Sequence, residues 1–360
     1  MRELSSLVDN KYYFYGGLSD SEGIKVFRGD DVVTINEIGF SSSGGKLVIS
    51  NYRKIFDENP DVLILIGNPN IFSTWLIAIE ARLRGIALIF WTHGWIKKEN
   101  LLKSKIRNIY LNIADYVLVY GESALIKGVE SGFSAKKIIP VYNSLDFVAQ
   151  NKIYENLKFT SRADIRKGLG LELDQAMILC LSRVTAACKY DWLIAAVSKM
   201  TKKNLRSVYI IMIGEGEEVE FLKKLAHDNA VDVRFLGSIY DENLLAKYIM
   251  AANLVASPGK VGLTAMHSLA YGTPVVTHGD FDRQMPEVEA IIPGVSGCYF
   301  DYGNIDSLVM ALNNILMCEN GELNIDRDSC RSAIVSKFNP ANQTKIINNL
   351  VDKICGGNLN

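Results

Sequence analysis

No uninterrupted apolar run in this 360-residue sequence approaches the roughly 18 residues that a bilayer-spanning helix needs, so an integral membrane protein is not expected. The opening stretch, Met1 to Asn10, has no sustained apolar core, which argues against a secretory signal. Neither sign of charge dominates: 39 basic residues face 40 acidic ones, and nothing global points to nucleic acid. The six cysteines, Cys180, Cys188, Cys298, Cys318, Cys330 and Cys355, show no Cys-x-x-Cys and no framework spacing. They read as reduced thiols of a cytoplasmic protein. Internal repeats and low-complexity tracts are also lacking.

What is present is alternation. The length is long for one core and comfortable for two domains of about 150 to 180 residues. Strands are expected at Tyr12 to Tyr15, Ile24 to Phe27, Val62 to Ile66, Ile86 to Trp91, Tyr116 to Val119 and Ile138 to Val141, with helices at Lys46 to Asp57, Ile71 to Leu83, Leu101 to Ala114 and Ser123 to Ser131. A polar, aperiodic stretch from Asn143 to Thr160 reads as the linker. A second βα series follows, with strands beginning near 176, 208, 233, 254, 274 and 298, and a closing helix over Asn342 to Ile354. This order implies α/β architecture: two doubly wound, Rossmann-like domains with parallel sheets, facing across a cleft. We place the domains at 1–150 and 151–340.

The most informative segment is Leu254 to Val276. Strand Leu254 to Ala256 runs into Ser257-Pro258-Gly259, then Gly262 to Ala270 reads as a short helix, and Gly272-Thr273-Pro274 ends it before the next strand. The free amides of Gly262, Leu263 and Thr264 at that helix start suit an anion. Upstream, strand Ala176 to Leu181 opens into Ser182-Arg183-Val184, with Lys189 six residues beyond the arginine. In an open parallel sheet the ligand crevice lies outside the carboxyl ends of the strands, so Arg183 and Lys189 are candidates to meet the same anion. The alternative is a solvated pair of cations.

These features, with Ile213-Gly-Glu-Gly216, Val233-Arg-Phe-Leu-Gly237 and Gly272-Thr-Pro-Val, resemble the retaining glycosyltransferases of family 4, which have the GT-B fold. The resemblance covers roughly residues 60 to 320 and implies transfer of a sugar from a nucleotide-sugar donor, with retention of configuration, no catalytic metal and no cofactor. It also implies that the last helix, 341–360, crosses back to the first domain. Gly214 and Gly216 would then allow close backbone approach to the donor nucleotide, and the stretch from Phe235 would meet its base; an ordinary strand-to-helix turn is the other reading. A nicotinamide site is disfavoured, because the third glycine of that fingerprint is absent and Glu215, Glu217 and Glu218 crowd the turn.

Both glutamates of the family's paired motif are replaced, by Gly259 and His267. His267 is a candidate to hold the ribose hydroxyls with one ring nitrogen accepting and the other donating; a structural histidine is the alternative. Lys260 is the candidate substitute for the first glutamate. Glu287, after Pro286, resembles a glutamate that faces the donor, against a surface carboxylate as the plain reading. Asp280-Phe-Asp282 imitates a metal-binding pair in the wrong context, and no metal is assigned.

In the first series, His93 within Phe90-Trp-Thr-His-Gly-Trp95 is expected near the donor sugar and acceptor hydroxyl, with packing between Trp91 and Trp95 as the alternative. Gly94 would admit a sugar to the backbone, Trp95 would stack on it, and Asn68 and Asn70 are further acceptor-side candidates. Lys97, Lys98, Lys103, Lys105 and Arg107 are interleaved with apolar residues, either as a basic amphipathic helix resting on anionic lipid at the inner face of the plasma membrane or as a core helix with a solvated face. The first reading gives a lipid-linked saccharide as acceptor, in assembly of bacterial surface polysaccharide. A GT-B sugar-nucleotide epimerase and a catalytically idle nucleotide-sugar-binding homologue remain as other classes.

Overall fold

The computed structural model describes residues 1–17, 29–43, 46–96, 100–202, 207–316 and 326–356. The strand expected over Ile24 to Phe27, Lys97 and Lys98 of the basic segment, and Cys318 lie outside the described residues. The chain forms two compact units, Met1–Tyr142 with Pro340–Asn360, and Asn143–Asn339.

The first unit begins with α1 (Arg2–Ser5), β1 (Phe14–Gly16), β2 (Ile35–Glu37), β3 (Gly39–Ser43) and β4 (Lys46–Ser50). It continues through β5 (Val62–Ile66), α2 (Phe72–Leu83), β6 (Ala87–Thr92), α3 (Leu101–Asn112), β7 (Tyr116–Val119), α4 (Glu122–Glu130) and β8 (Ile138–Pro140). β5 to β8 make a parallel sheet in sequence order, β1 and β2 pair in parallel, and β3 and β4 form an antiparallel hairpin. The helix expected over Lys46 to Asp57 is therefore wrong in its first half. Lys46–Ser50 carries adjacent β-branched Val48 and Ile49, pairs with β3, and ends at Asn51 in the left-handed region, after which only a 3₁₀ turn, Tyr52–Phe56, follows. Tyr110 of α3 stacks on Phe90 of β6 at 4.5 Å and meets the tilted ring of Trp75 of α2 at 4.6 Å.

The second unit holds α5 (Phe147–Leu157), α6 (Arg162–Gly168), β9 (Ala176–Leu181), α7 (Tyr190–Lys202), β10 (Val208–Ile213), α8 (Val219–Asp228), β11 (Val233–Gly237) and α9 (Glu242–Ala251). β12 (Leu254–Ser257), α10 (Leu263–Ala270), β13 (Val275–His278), β14 (Gly297–Phe300), α11 (Ile305–Leu316) and α12 (Arg327–Ser336) complete it. Its six strands are all parallel, in the order β11-β10-β9-β12-β13-β14. The order reverses between β9 and β12, which is the topological switch point where open α/β sheets bind ligands. The apolar runs of β9, β10 and β12 are buried because helices cover both faces.

The linker expected over Asn143 to Thr160 is in fact helix α5, capped by Asp146, whose carboxylate accepts from Ala149 N. Its most deeply buried positions are Gln150 and Tyr154, which hydrogen-bond Glu242 and Asp328, with Ile153 and Leu157 packed against the same core. The final helix, α13 (Pro340–Cys355), belongs to the first unit, where Ile347, Leu350, Val351 and Ile354 pack with Leu4, Ile89 and Leu118.

Candidate functional site

At the switch point, two loops are tied together by main-chain geometry. After β9 the chain passes Ser182, Arg183 and Val184, makes a 3₁₀ turn at Ala186–Cys188, and reaches Lys189 with φ 55° just before α7. After β12 it passes Ser257 to Val261, and Gly262, with φ 47° and ψ −144°, caps α10. Gly259 N donates to Cys188 O at 2.8 Å, one residue before Lys189. Thr264 Oγ1 donates to Leu181 O at 2.6 Å, fixing the first turn of α10 to the end of β9. The two loops that the sequence singled out are thus one structure.

Gly259 has no room for a side chain. A Cβ there would stand 1.9 Å from Ala187 O and 2.8 Å from the Cys188 carbonyl carbon, both backbone atoms. The 3₁₀ turn thus closes against the Gly259 backbone. Lys260, the proposed substitute, is exposed, and its carbonyl accepts from Ser257 Oγ.

Gln284 organises the same loop from below and was not singled out from sequence. It is 2 % exposed; its Nε2 donates to Thr277 Oγ1 at 2.8 Å, His278 O at 3.1 Å and Gly259 O at 3.3 Å, while Oε1 accepts from Val261 N at 3.0 Å. A glutamine buried with all four partners satisfied is a rigid brace for Gly259 to Val261. At the α10 start, Thr264 N donates to Val261 O, whereas the Gly262 and Leu263 amides have no protein acceptor among the described residues. Arg183 is exposed, and Lys189 lies with Nζ 5.6 Å from the Trp192 ring centroid. Two amides and two cations therefore sit on connected loops at the carboxyl edge of the sheet.

At Gly214 and Gly216, added Cβ atoms would meet Ser182 O at 1.9 Å and Val184 O at 2.0 Å. Their smallness serves the chain's own 182–184 loop, held by Val184 N to Glu215 O at 2.8 Å. Glu287 is not a surface carboxylate: it is 3 % exposed, Oε1 accepts from Asn143 Nδ2 at 2.6 Å, and Oε2 is buried with no hydrogen-bond partner. His267 makes a contact of its own, with Nε2 3.4 Å from Glu242 Oε2. Glu242, the first residue of α9, also accepts from Tyr271 Oη at 2.7 Å and Gln150 Nε2 at 3.0 Å. Burial alone would raise its carboxyl, but hydrogen bonds from His267, Tyr271 and Gln150 outweigh it and bring the group down to about 2. Phe235 turns its ring toward α8, with Lys223 Nζ 5.9 Å from the centroid, leaving only its backbone for other contacts. Asp280, of the Asp-x-Asp pattern, accepts from Asp282 N and pairs with Arg283 Nε at 2.9 Å.

In the first unit, His93 is exposed at the end of β6, its ring 4.8 Å from that of Tyr120, and so is not packed between tryptophans. Trp95 is core rather than a stacking surface: it is 1 % exposed, with Nε1 donating to Asn108 Oδ1 and its ring 4.9 Å from Phe133. Gly94, φ 63°, lies where a Cβ would stand 2.9 Å from Val119 Cγ1. Asn68 Oδ1 accepts from Asn70 N in the turn that opens α2.

Residues 161–332 match the family described as Glycosyl transferases group 1. The match covers a little under half of the chain. The alpha-monoglucosyldiacylglycerol synthase of Streptococcus pneumoniae is 27% identical over 196 residues, 52% of this chain and 42% of that protein. Among solved structures, the apo lipopolysaccharide outer core galactosyltransferase WaaB aligns with TM-score 0.63 and 20% identity, covering 84% of this chain and 78% of that one. Anabaena Alr3699/HepE in complex with UDP aligns with TM-score 0.67 and 16% identity, covering 90% and 86%. The chain spans about half or less of the length of the curated relatives it matches, from 41% to 50%. The two Rossmann-like units have the GT-B fold of these structures.

Proposed function

We propose that this chain is a glycosyltransferase moving a sugar from a nucleotide-sugar donor to a saccharide acceptor, lipid-linked, with retention of configuration. The observation that carries the reading is the bridged loop pair at the switch point, which offers the Gly262 and Leu263 amides beside Arg183 and Lys189. Helix-start amides and two cations neutralise a departing diphosphate as the glycosidic bond breaks, which is electrostatic stabilisation of a leaving group. No carboxylate nucleophile is invoked. In this reading the acceptor attacks from the face the diphosphate leaves, and the leaving phosphate oxygen takes the acceptor proton. His93 serves the acceptor side, exposed as such a group must be. The acceptor class draws support from the S. pneumoniae relative and from WaaB, whose names record a glycolipid and a lipopolysaccharide product. Surface polysaccharide assembly at the inner face of the plasma membrane follows from that class. Donor binding needs no cofactor or metal in this account.

Thermal stabilisation by UDP, GDP, TDP, CMP and NAD tests the donor site directly, since a ligand that binds only the native state raises its stability. A shift with one nucleoside diphosphate supports the reading; acceptor-dependent release of that diphosphate then separates transfer from epimerisation. No shift at millimolar concentrations moves the idle-homologue reading to the front, and the closed space at Gly259 is the reason to keep it in view.

A further inference from the structure

Beyond the diphosphate loops, the carboxyl edge of the second sheet continues from β9 through β10 to β11. Adjacent strands lie about 4.8 Å apart, so the end of β11 stands about 10 Å from that of β9, within reach of a nucleoside whose phosphates rest at the start of α10. Two main-chain hydrogen bonds make this edge one ledge: Gly214 N donates to Gly237 O at 2.8 Å, and Val184 N to Glu215 O at 2.8 Å. The direction a nucleoside takes is set by His267 and Glu242. His267 Nε2 lies 3.4 Å from Glu242 Oε2, and Glu242 opens α9 directly after the 238–241 loop. A ribose held at His267 therefore passes its base toward that loop and the end of β11, away from β13.

Two side chains on this ledge serve no contact of the fold. Glu215 is exposed, and its Oε1 lies 3.5 Å from the position a Cβ would take at Gly237, so the carboxylate stands against bare backbone at the end of β11. Among the described residues it accepts no hydrogen bond and pairs with no cation. Tyr240 is 93% exposed, with no ring or ion contact among the described residues. Its loop is nevertheless fixed: Asp241 Oδ1 accepts from Leu244 N at 3.0 Å, and Ile239 packs against the core beneath α9. An aromatic ring held in water on an anchored loop gains burial only from a flat partner.

We propose that this ledge selects guanine as the base of the donor nucleotide, Glu215 accepting hydrogen bonds from N1–H and the N2 amino group while the Tyr240 ring covers the face of the base. A carboxylate offers two acceptor oxygens and no donor, and it matches an edge with two adjacent donors. Guanine has that edge. Uracil and thymine present one N–H between two carbonyl oxygens, which a carboxylate repels, and adenine and cytosine set an acceptor nitrogen beside their amino group. Stacking on Tyr240 adds affinity for any base and leaves the choice to Glu215. The inference rests on the nucleotide-sugar donor reading and names the base that reading leaves open.

Titration calorimetry of the full chain with GDP, inosine diphosphate, UDP and inorganic pyrophosphate tests it. Inosine diphosphate differs from GDP only by lacking the 2-amino group, so GDP should bind about tenfold tighter, the scale of one hydrogen bond to a charged group, and UDP should bind more weakly still. Glu215→Gln should lower GDP affinity about tenfold, to the level of inosine diphosphate, and leave pyrophosphate unchanged. Tyr240→Ala should weaken all three nucleotides alike by about tenfold, again sparing pyrophosphate. Both side chains are exposed, thermal melts check folding, and the ratio of GDP to inosine diphosphate in the parent needs no variant. UDP binding as tightly as GDP, or a GDP to inosine diphosphate ratio that Glu215→Gln leaves unchanged, overturns the guanine assignment while the donor reading stands. Nucleotide affinities unchanged in Tyr240→Ala overturn the stack. Failure of all three nucleotides to bind the parent overturns the donor reading and this inference together.

Discussion

His267 Nε2 and Glu242 Oε2 stand 3.4 Å apart, joining the second turn of α10 to the first residue of α9. Both helices follow strands of a parallel sheet, so both residues sit toward its carboxyl edge, on the side of the switch-point loops. Nε2 faces the carboxylate, which leaves Nδ1 as the other polar atom of the ring. One ring nitrogen is then left for a ligand hydroxyl, not the two expected from sequence. Glu242→Ala should raise KM for the nucleotide sugar by about tenfold, the scale of one charge-assisted hydrogen bond, with kcat changed less. Glu242→Gln, which keeps an acceptor for Tyr271, should recover part of the loss. Equal falls in kcat and kcat/KM for both variants would contradict a positioning role.

Arg183 and Lys189 carry the charge part of the proposed mechanism. Removing one preorganised stabilising group from a transition state typically costs about a hundredfold or more in turnover. Arg183→Ala and Lys189→Ala should each show that loss, at unchanged thermal stability for the exposed Arg183. Activity within a few fold of the parent in both variants would remove them from the diphosphate site.

The switch-point core was legible because burial on both faces leaves continuous apolar runs: Ala176–Leu181, Val208–Ile213 and Leu254–Ser257 have almost no polar residue to misplace them. Helix α5 was not, since its most deeply buried residues are Gln150 and Tyr154, whose burial makes sense only once Glu242 and Asp328 are brought to them by the fold, and Ile153 and Leu157 beside them are too short a pattern to mark a helix. Trp95 failed for the converse reason. An aromatic beside a glycine after a strand suits a sugar platform, and only Asn108 and Phe133, distant in sequence, reveal that it is core. Gln284 and Glu242 left no local signal either, because their partners lie on other elements.

Gly259 is held by its neighbours to a residue without a side chain. With Ala187 O 1.9 Å from an added Cβ, the 3₁₀ turn or the Ser257–Val261 loop must shift, and the Gly259 N to Cys188 O bond goes with it. Gly259→Ala should destabilise the protein by about 2 kcal/mol, in the range for overpacking a fixed site. Gly259→Glu should be no more active than the parent and less stable. A Gly259→Glu protein that melts at the parental temperature would mean that the turn yields freely.

His278, at the end of β13, sets a pH dependence of stability. It is 1 % exposed, its Nδ1 accepts from Asp280 N at 3.2 Å, and its ring meets Tyr302 edge-on at 4.8 Å. Burial, aided by the Arg283 charge and opposed by Asp280, brings it from 6.5 down to about 4. Between those values the unfolded chain binds a proton that the native ring refuses, so stability falls as pH drops from 6.5 toward 4 and is unaffected by this group above 6.5. At pH 5 the loss amounts to about 2 kcal/mol. Glu242 acts lower, between its ordinary 4.5 and about 2, where protonation removes its pairing with His267, so the two windows separate. Urea midpoints at pH 7 and pH 5 should therefore differ in the parent and converge in His278→Gln. A parental midpoint that does not move over that interval would place the ring in contact with water.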